Sequence, residues 1–232
     1  MSRHTYPRGN TVKIALDGTQ SVSGLWDKPA SPKACLVLAH GAGVGMTHPS
    51  MEAFAHGLAA RGICVLRYQF PYMERGSKRV DSPSVAQATV RAAVSVAQRH
   101  AASLPLFAGG RSFGARMTSQ AQAGAPLAGV RGLVFLAFPL HPAGTPSDGR
   151  AAHLKDVQIP MLFLQGTKDA LADLSLLSPM VESLGSRAKL ILAQDADHSF
   201  HVPAKTGRND KDVLDGLLDA AASWMIKAAD AG

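Results

Sequence analysis

Leu106-Phe107-Ala108-Gly109-Gly110-Arg111-Ser112-Phe113-Gly114-Ala115-Arg116-Met117 reads as a short apolar strand, a Gly-x-Ser-x-Gly turn over residues 110–114 and a helix that opens at Phe113. That succession is a nucleophile elbow, a sharp strand-to-helix turn that holds a serine exposed at the strand tip. Ser112 is the expected nucleophile. Such a turn puts the serine in a strained, near-left-handed backbone with no room for side chains on either flank, which Gly110 and Gly114 accommodate. A helix that begins at once aims its free N–H groups and positive dipole end at the space before Ser112, where an oxyanion would form. In a chain with 22 glycines the five residues alone are a weak match, and it is the apolar run of residues 104–108 before them and the helix-compatible run of 115–123 after them that carry the reading.

Outward from the elbow, the sequence alternates buried apolar runs with amphipathic segments. Strands are expected at residues 34–39, 63–68, 104–108, 132–137, 161–164 and 189–193, almost continuously apolar as befits a parallel sheet covered on both faces. Two weaker candidates, residues 11–16 and 21–26, joined by Asp17-Gly18, form an antiparallel hairpin at one edge. Met51, Phe54, Ala55, Leu58 and Ala59 recur at helical spacing and Gly62 ends their helix; a second helix spans residues 83–100 with Ser82 as N-cap, and a last one spans about 210–229. The roughly 20 residues between Leu140 and Met161 suffice for a turn and one short helix but not for a cap, so the site is expected to be open.

The 232 residues suit one domain with one sizeable core. Hydrophobic residues at 46% and charged residues at 18% indicate a globular chain. No apolar run approaches the roughly 18–20 residues of a membrane helix, and the first ten residues show no apolar leader, so a cytoplasmic protein with no membrane association is expected. Cys35 and Cys64 lie inside apolar strands as small hydrophobes rather than as a disulfide framework. The net charge of +7 raises nucleic acid as a partner, but the basic residues are scattered. Their densest cluster, Arg75, Lys78 and Arg79, belongs to no basic helix or nucleic-acid motif, so no specific nucleic-acid binding is expected.

A serine needs a base, and the base needs an orienting group. Asp169 stands in the loop after the strand at 161–164 and His198 in the loop after the strand at 189–193. In a parallel sheet both loops leave from the same edge as Ser112. The order Ser, Asp, His is that of α/β-hydrolases rather than of the chymotrypsin or subtilisin types. Asp169 could instead cap a helical run starting at Leu171, with Asp173, Asp195 and Asp197 as the other acids, and His201 is the near rival of His198. For the oxyanion hole, one N–H is expected from Phe113 and the second from Ala42, in the loop His40-Gly41-Ala42-Gly43-Val44-Gly45. That loop is not a dinucleotide fingerprint, because the third glycine position is Met46. Gly41, Arg111 and His141 are expected to contact substrate.

These positions together resemble the α/β-hydrolase superfamily over essentially the whole chain. The lid-less size is similar to the dienelactone-hydrolase-like branch, and Phe70-Pro71-Tyr72-Met73 with Phe138-Pro139-Leu140-His141-Pro142 resembles small bacterial hydrolases related to the testis-expressed α/β-hydrolase-like proteins. The resemblance implies an eight-stranded, mostly parallel sheet and a Ser112/His198/Asp169 triad. Dienelactone hydrolases proper use cysteine where Ser112 stands, so their substrate does not carry over. The expected activity is hydrolysis of a small carboxylic ester or related acyl compound through an acyl-enzyme, with no cofactor or metal ion. The alternative is a catalytically idle scaffold serving as an interaction module. The sequence leaves the acyl group, the leaving group and the oligomeric state open.

Overall fold

In the computed structural model, the described residues are 10–16 and 18–230. Residues 1–9 and Asp17 of the expected hairpin turn lie outside them. Eight strands form one sheet: β1 (Asn10–Ala15), β2 (Ser21–Asp27), β3 (Ala34–Ala39), β4 (Ile63–Tyr68), β5 (Leu106–Arg111), β6 (Val130–Leu136), β7 (Met161–Gly166) and β8 (Ala188–Ala193). Their spatial order is β1-β2-β4-β3-β5-β6-β7-β8. β1 with β2 and β2 with β4 are antiparallel, and every later pair is parallel. The crossovers carry α1 (Pro49–Ala59), α2 (Pro71–Glu74), α3 (Pro83–His100), α4 (Phe113–Gly124) and α5 (Leu174–Ser183), and α6 (Asp210–Asp230) follows β8.

Where one sizeable core was expected, the sheet, apolar on both faces, separates two. One face buries Val37, Tyr68, Ala108, Phe135 and Phe163 beneath α3, α4 and α5; the other buries Leu36, Leu38, Val65, Phe107 and Leu162 beneath α1 and α6. This is an α/β-hydrolase architecture without a cap domain: a 3-10 segment, Gly149–Asp156, occupies the long connection before β7. Among the described residues no helix is long and apolar enough to cross a membrane. Cys35 and Cys64 are register partners on β3 and β4, buried and free.

Several boundaries move for physical reasons. β5 starts two residues later than its apolar run suggests and continues through Gly109, Gly110 and Arg111. Glycine weakens an isolated strand, but here the ladder demands it, since a Cβ on Gly109 would lie 1.9 Å from the Val134 carbonyl oxygen. β6 stops at Leu136 because Ala137 takes a φ of 50°. The helix expected from Leu171 begins at Leu174, where the Asp173 carboxylate accepts the Ser175 N–H at 2.8 Å and acts as its cap. One charged side chain is built into the sheet: Arg67 of β4, 1% exposed, meets the Asp27 carboxylate through two hydrogen bonds of 2.7 and 3.1 Å.

Candidate active site

β5 hands over to α4 at Ser112, whose φ of 50° and ψ of −113° share the positive φ of a left-handed residue but not its ψ. The turn is held by the Ser112 N–H, which donates to the Leu136 carbonyl at 2.9 Å. Its tightness is set by β3. A Cβ on Gly110 would come within 2.8 Å of the Ala39 carbonyl oxygen, and one on Gly114 within 2.6 Å of that of His40. The flanking glycines therefore let the elbow press against the neighbouring strand end.

From that tip a hydrogen-bonded line runs inward. The Ser112 Oγ lies 2.9 Å from His198 Nε2, and His198 Nδ1 lies 2.7 Å from the Asp169 Oδ2. The Asp169 side chain is fully buried while that of His198 is 26% exposed, so the acid is shielded and the base reaches the surface. Asp169 also accepts the Gln165 Nε2–H at 2.5 Å and the Leu171 N–H at 2.8 Å. A carboxylate so supplied with donors is held in place. It therefore accepts the Nδ1–H of His198, which leaves the Nε2 lone pair facing the serine hydroxyl.

The acid and base loops are sewn together by backbone contacts. The Thr167 N–H donates to Ala193, the Lys168 N–H to Ala196 at 2.9 Å, and the Asp195 N–H to the Thr167 Oγ at 2.8 Å. Gly166 makes the approach possible, because a Cβ there would stand 2.3 Å from the Ala196 carbonyl oxygen and 2.6 Å from that of Asp197. The rival groups have other partners. Asp197 accepts the N–H groups of Ser199 and His201, Asp173 caps α5, and exposed His201 pairs with Asp210 at 2.9 Å, which raises its pKa.

The loop after β3 lies against the nucleophile. Gly41 is buried, and a Cβ on it would sit 3.6 Å from the Ser112 Cβ; Ala42 follows, exposed. His40 anchors this loop. Its Nε2 accepts the Phe70 N–H at 3.0 Å, so its Nδ1–H donates to the Gly41 carbonyl at 2.8 Å. Burial pushes the His40 pKa down to about 4, and the ring stays neutral at neutral pH. Phe70 and Tyr72 bracket His40 on one side and Phe113 on the other, with ring centroids 4.9–6.4 Å apart. Those aromatic packings tie the β3 loop to the start of α4.

His141, expected to contact substrate, stands in the loop after β6. It is 3% exposed; its Nδ1–H donates to the Pro142 carbonyl and its Nε2 accepts the Asp173 N–H, both at 2.9 Å. Both ring nitrogens are thus spent on holding the acid loop. Arg111 borders the site half-buried, donating to the Ser50 hydroxyl. In the basic cluster, Arg75 is paired with Asp81 at 2.9 Å. Gln165 and Gly166 acquire roles that sequence reading did not assign, although a fully buried glutamine ending the run Met161-Leu162-Phe163-Leu164 is a legible sign of a polar partner nearby. Among the described residues no cluster of His, Cys, Asp and Glu is suited to hold a metal ion.

The sequence model of the alpha/beta hydrolase domain matches residues 32–226. Among solved structures, the chain is similar to the dienelactone hydrolase of Anabaena variabilis, with 19% identity, 96% of this chain and 98% of that one covered, and a TM-score of 0.74. It is also similar to XC6422 of Xanthomonas campestris, a serine hydrolase without a lid, at 22% identity, 93% and 94% coverage and a TM-score of 0.73. A third is Est1E of Butyrivibrio proteoclasticus with ferulic acid bound, at 15% identity, 91% and 99% coverage and a TM-score of 0.70. At these identities the likeness is one of fold.

Proposed function

The chain belongs to the alpha/beta hydrolase domain family, and from that premise we propose that it is a serine hydrolase that cleaves small carboxylic esters or related acyl compounds. The observation that carries the proposal is the continuous hydrogen-bonded line Ser112–His198–Asp169, with distances of 2.9 and 2.7 Å. A serine hydroxyl that faces one nitrogen of an imidazole whose other nitrogen is held by a buried carboxylate has the arrangement that activates a hydroxyl for attack. The hydrolase and esterase neighbours of the same fold are consistent with this reading.

In this reading, Ser112 Oγ attacks the substrate carbonyl carbon as its proton passes to His198 Nε2. Asp169 stabilises the imidazolium and keeps its tautomer. The developing oxyanion is met by the N–H of Phe113, the first residue of α4 and so without an intrahelical partner, and by that of Ala42. Collapse of the tetrahedral intermediate expels the alcohol, which takes the proton from His198. Water then enters, loses a proton to the same nitrogen and releases the acid. With no cap domain over the sheet edge and His198 partly exposed, the site is open to small substrates. No cofactor takes part in these steps.

The test is a panel of esters and thioesters graded by acyl length, run with the wild type and Ser112→Ala. The proposal expects turnover of short acyl substrates by the wild type and a loss of about 10⁴–10⁶ in kcat for the variant. A folded wild type inert toward the whole panel would instead favour the idle scaffold.

A further inference from the structure

Beside the nucleophile lies an arginine that the triad does not use. Arg111, the last residue of β5, lines a cavity of about 110 Å³ whose other walls include Phe54, Leu136, Phe200 and Leu214. Two of its lining residues, Arg111 and Ser199, are chain neighbours of Ser112 and His198. Burial of the guanidinium is costly enough to pull its pKa down.

In return the guanidinium feels the charges of Asp197 and Asp169, which do not offset its burial. Its hydrogen bond within the described residues goes to the neutral Ser50 hydroxyl, and none of the ion pairs there includes Arg111. Arg67, buried within β4, shows the contrast, since its fork is matched bidentately by Asp27. The carboxylates near Arg111 are committed elsewhere. Asp169 serves His198 and Gln165, and Asp197 serves the backbone N–H groups of Ser199 and His201. Asp210, at the cavity wall, serves His201 and the Val202 N–H. A hydrogen bond to a serine needs only a neutral donor. A half-buried guanidinium without a salt-bridge partner among the described residues, at the wall of a largely apolar cavity, is suited to an incoming anion, most of all a planar carboxylate that takes its fork.

We infer that this cavity receives the carboxylate-bearing end of the substrate, so that the substrate class is the monoester of a short dicarboxylic acid. The inference rests on the serine-hydrolase reading above. The ester carbonyl lies at Ser112, the methylene chain among Phe54, Leu136, Phe200 and Leu214, and the free carboxylate on Arg111. The Ser112 Oγ–acyl bond forms as the acyl–oxygen bond to the alcohol breaks, and the alcohol leaves with the proton from His198. Water then supplies hydroxyl to the acyl carbon and a proton to Ser112 Oγ, giving the dicarboxylic acid, which ionises. No other reactant is required.

The test compares kcat/KM for monoethyl succinate, glutarate and adipate with that for ethyl butanoate, pentanoate and hexanoate, which match them in acyl length without the charge. A charge-assisted pair in a partly desolvated site is worth about a tenfold to hundredfold preference. The wild type should therefore favour at least one monoester by that factor. The preference should collapse to about one in Arg111→Gln and fall between in Arg111→Lys, which keeps the charge without the fork. If Arg111→Gln does not fold, wild-type hydrolysis of ethyl pentanoate should still be inhibited competitively by glutarate at concentrations where 1,5-pentanediol has no effect. Neutral esters cleaved as well as every monoester, or an equal preference in wild type and Arg111→Gln, would overturn the inference while leaving the hydrolase reading intact. Failure to hydrolyse any of the six would overturn that reading itself.

Discussion

Replacing Gly166 by alanine tests whether the distance between the acid and base loops sets the activity. The new Cβ would stand 2.3 Å from the Ala196 carbonyl oxygen and 2.6 Å from that of Asp197, where real contacts do not fall below 3.0 Å. The Ala196 carbonyl must therefore withdraw by at least 0.7 Å. These are backbone atoms immediately before His198, which cannot swing aside as a flexible side chain can. Carried through to the imidazole, that displacement stretches the 2.9 Å contact with Ser112 to about 3.6 Å, beyond hydrogen-bond range. A misplacement of this order costs about 10²-fold in rate, and overpacking costs about 1–3 kcal/mol in stability. The control is Gly216→Ala, in the exposed interior of α6, where nothing lies within 4 Å of the new methyl; it should keep full activity and gain about 0.5–1 kcal/mol. Steady-state kinetics on a chromogenic short-chain ester and urea denaturation of both variants provide the readings. A folded Gly166→Ala with kcat/KM within a factor of a few of the wild type would refute the reasoning.

His198→Ala should lose activity by about 10⁴–10⁶ while His201→Ala, which removes a surface pair with Asp210, should keep most of it; the reverse pattern in a kcat comparison would move the base to His201. His40 adds an acid-sensitive contribution to stability. Its folded pKa, about 4, lies below the ordinary value of about 6.5, so the unfolded chain takes up the proton first as the pH drops. Stability from this group is complete above about pH 6.5 and falls between there and about pH 4, by about 3 kcal/mol in all. His40→Gln, whose amide oxygen can still accept the Phe70 N–H, should flatten that part of the pH dependence in urea denaturation. An unchanged slope would mean that the ring is not held neutral.

The parallel strands were legible because a sheet covered on both faces must be apolar at every position, and β3 and β4 end where their apolar runs end. β5 was harder. Gly109 and Gly110 look like a turn when taken alone, and only the closeness of Val134 and Ala39 explains why they belong to a strand. The positions of Ser112, Asp169 and His198 could be read because each follows a strand that points to one edge. The competing role for Asp169, a helix cap, falls to Asp173, and this could not be read in advance because both acids precede the same helical run. Equally hidden were the contacts that cross between loops. His141 looked like a substrate group by its place after a strand, yet its ring is taken up by Pro142 and Asp173. Gly166 carries no local sign of its importance, since the atoms that require it arrive from a segment about thirty residues later.

Incubating the folded protein with a fluorophosphonate and locating the adduct by peptide mass spectrometry shows whether Ser112 is a nucleophile activated by His198. A single phosphonyl group is expected on the peptide that carries Ser112, its formation slowed severely in His198→Ala and absent in Ser112→Ala. A native protein that stays unlabelled, or one labelled equally well when Ser112 is alanine, would contradict that role.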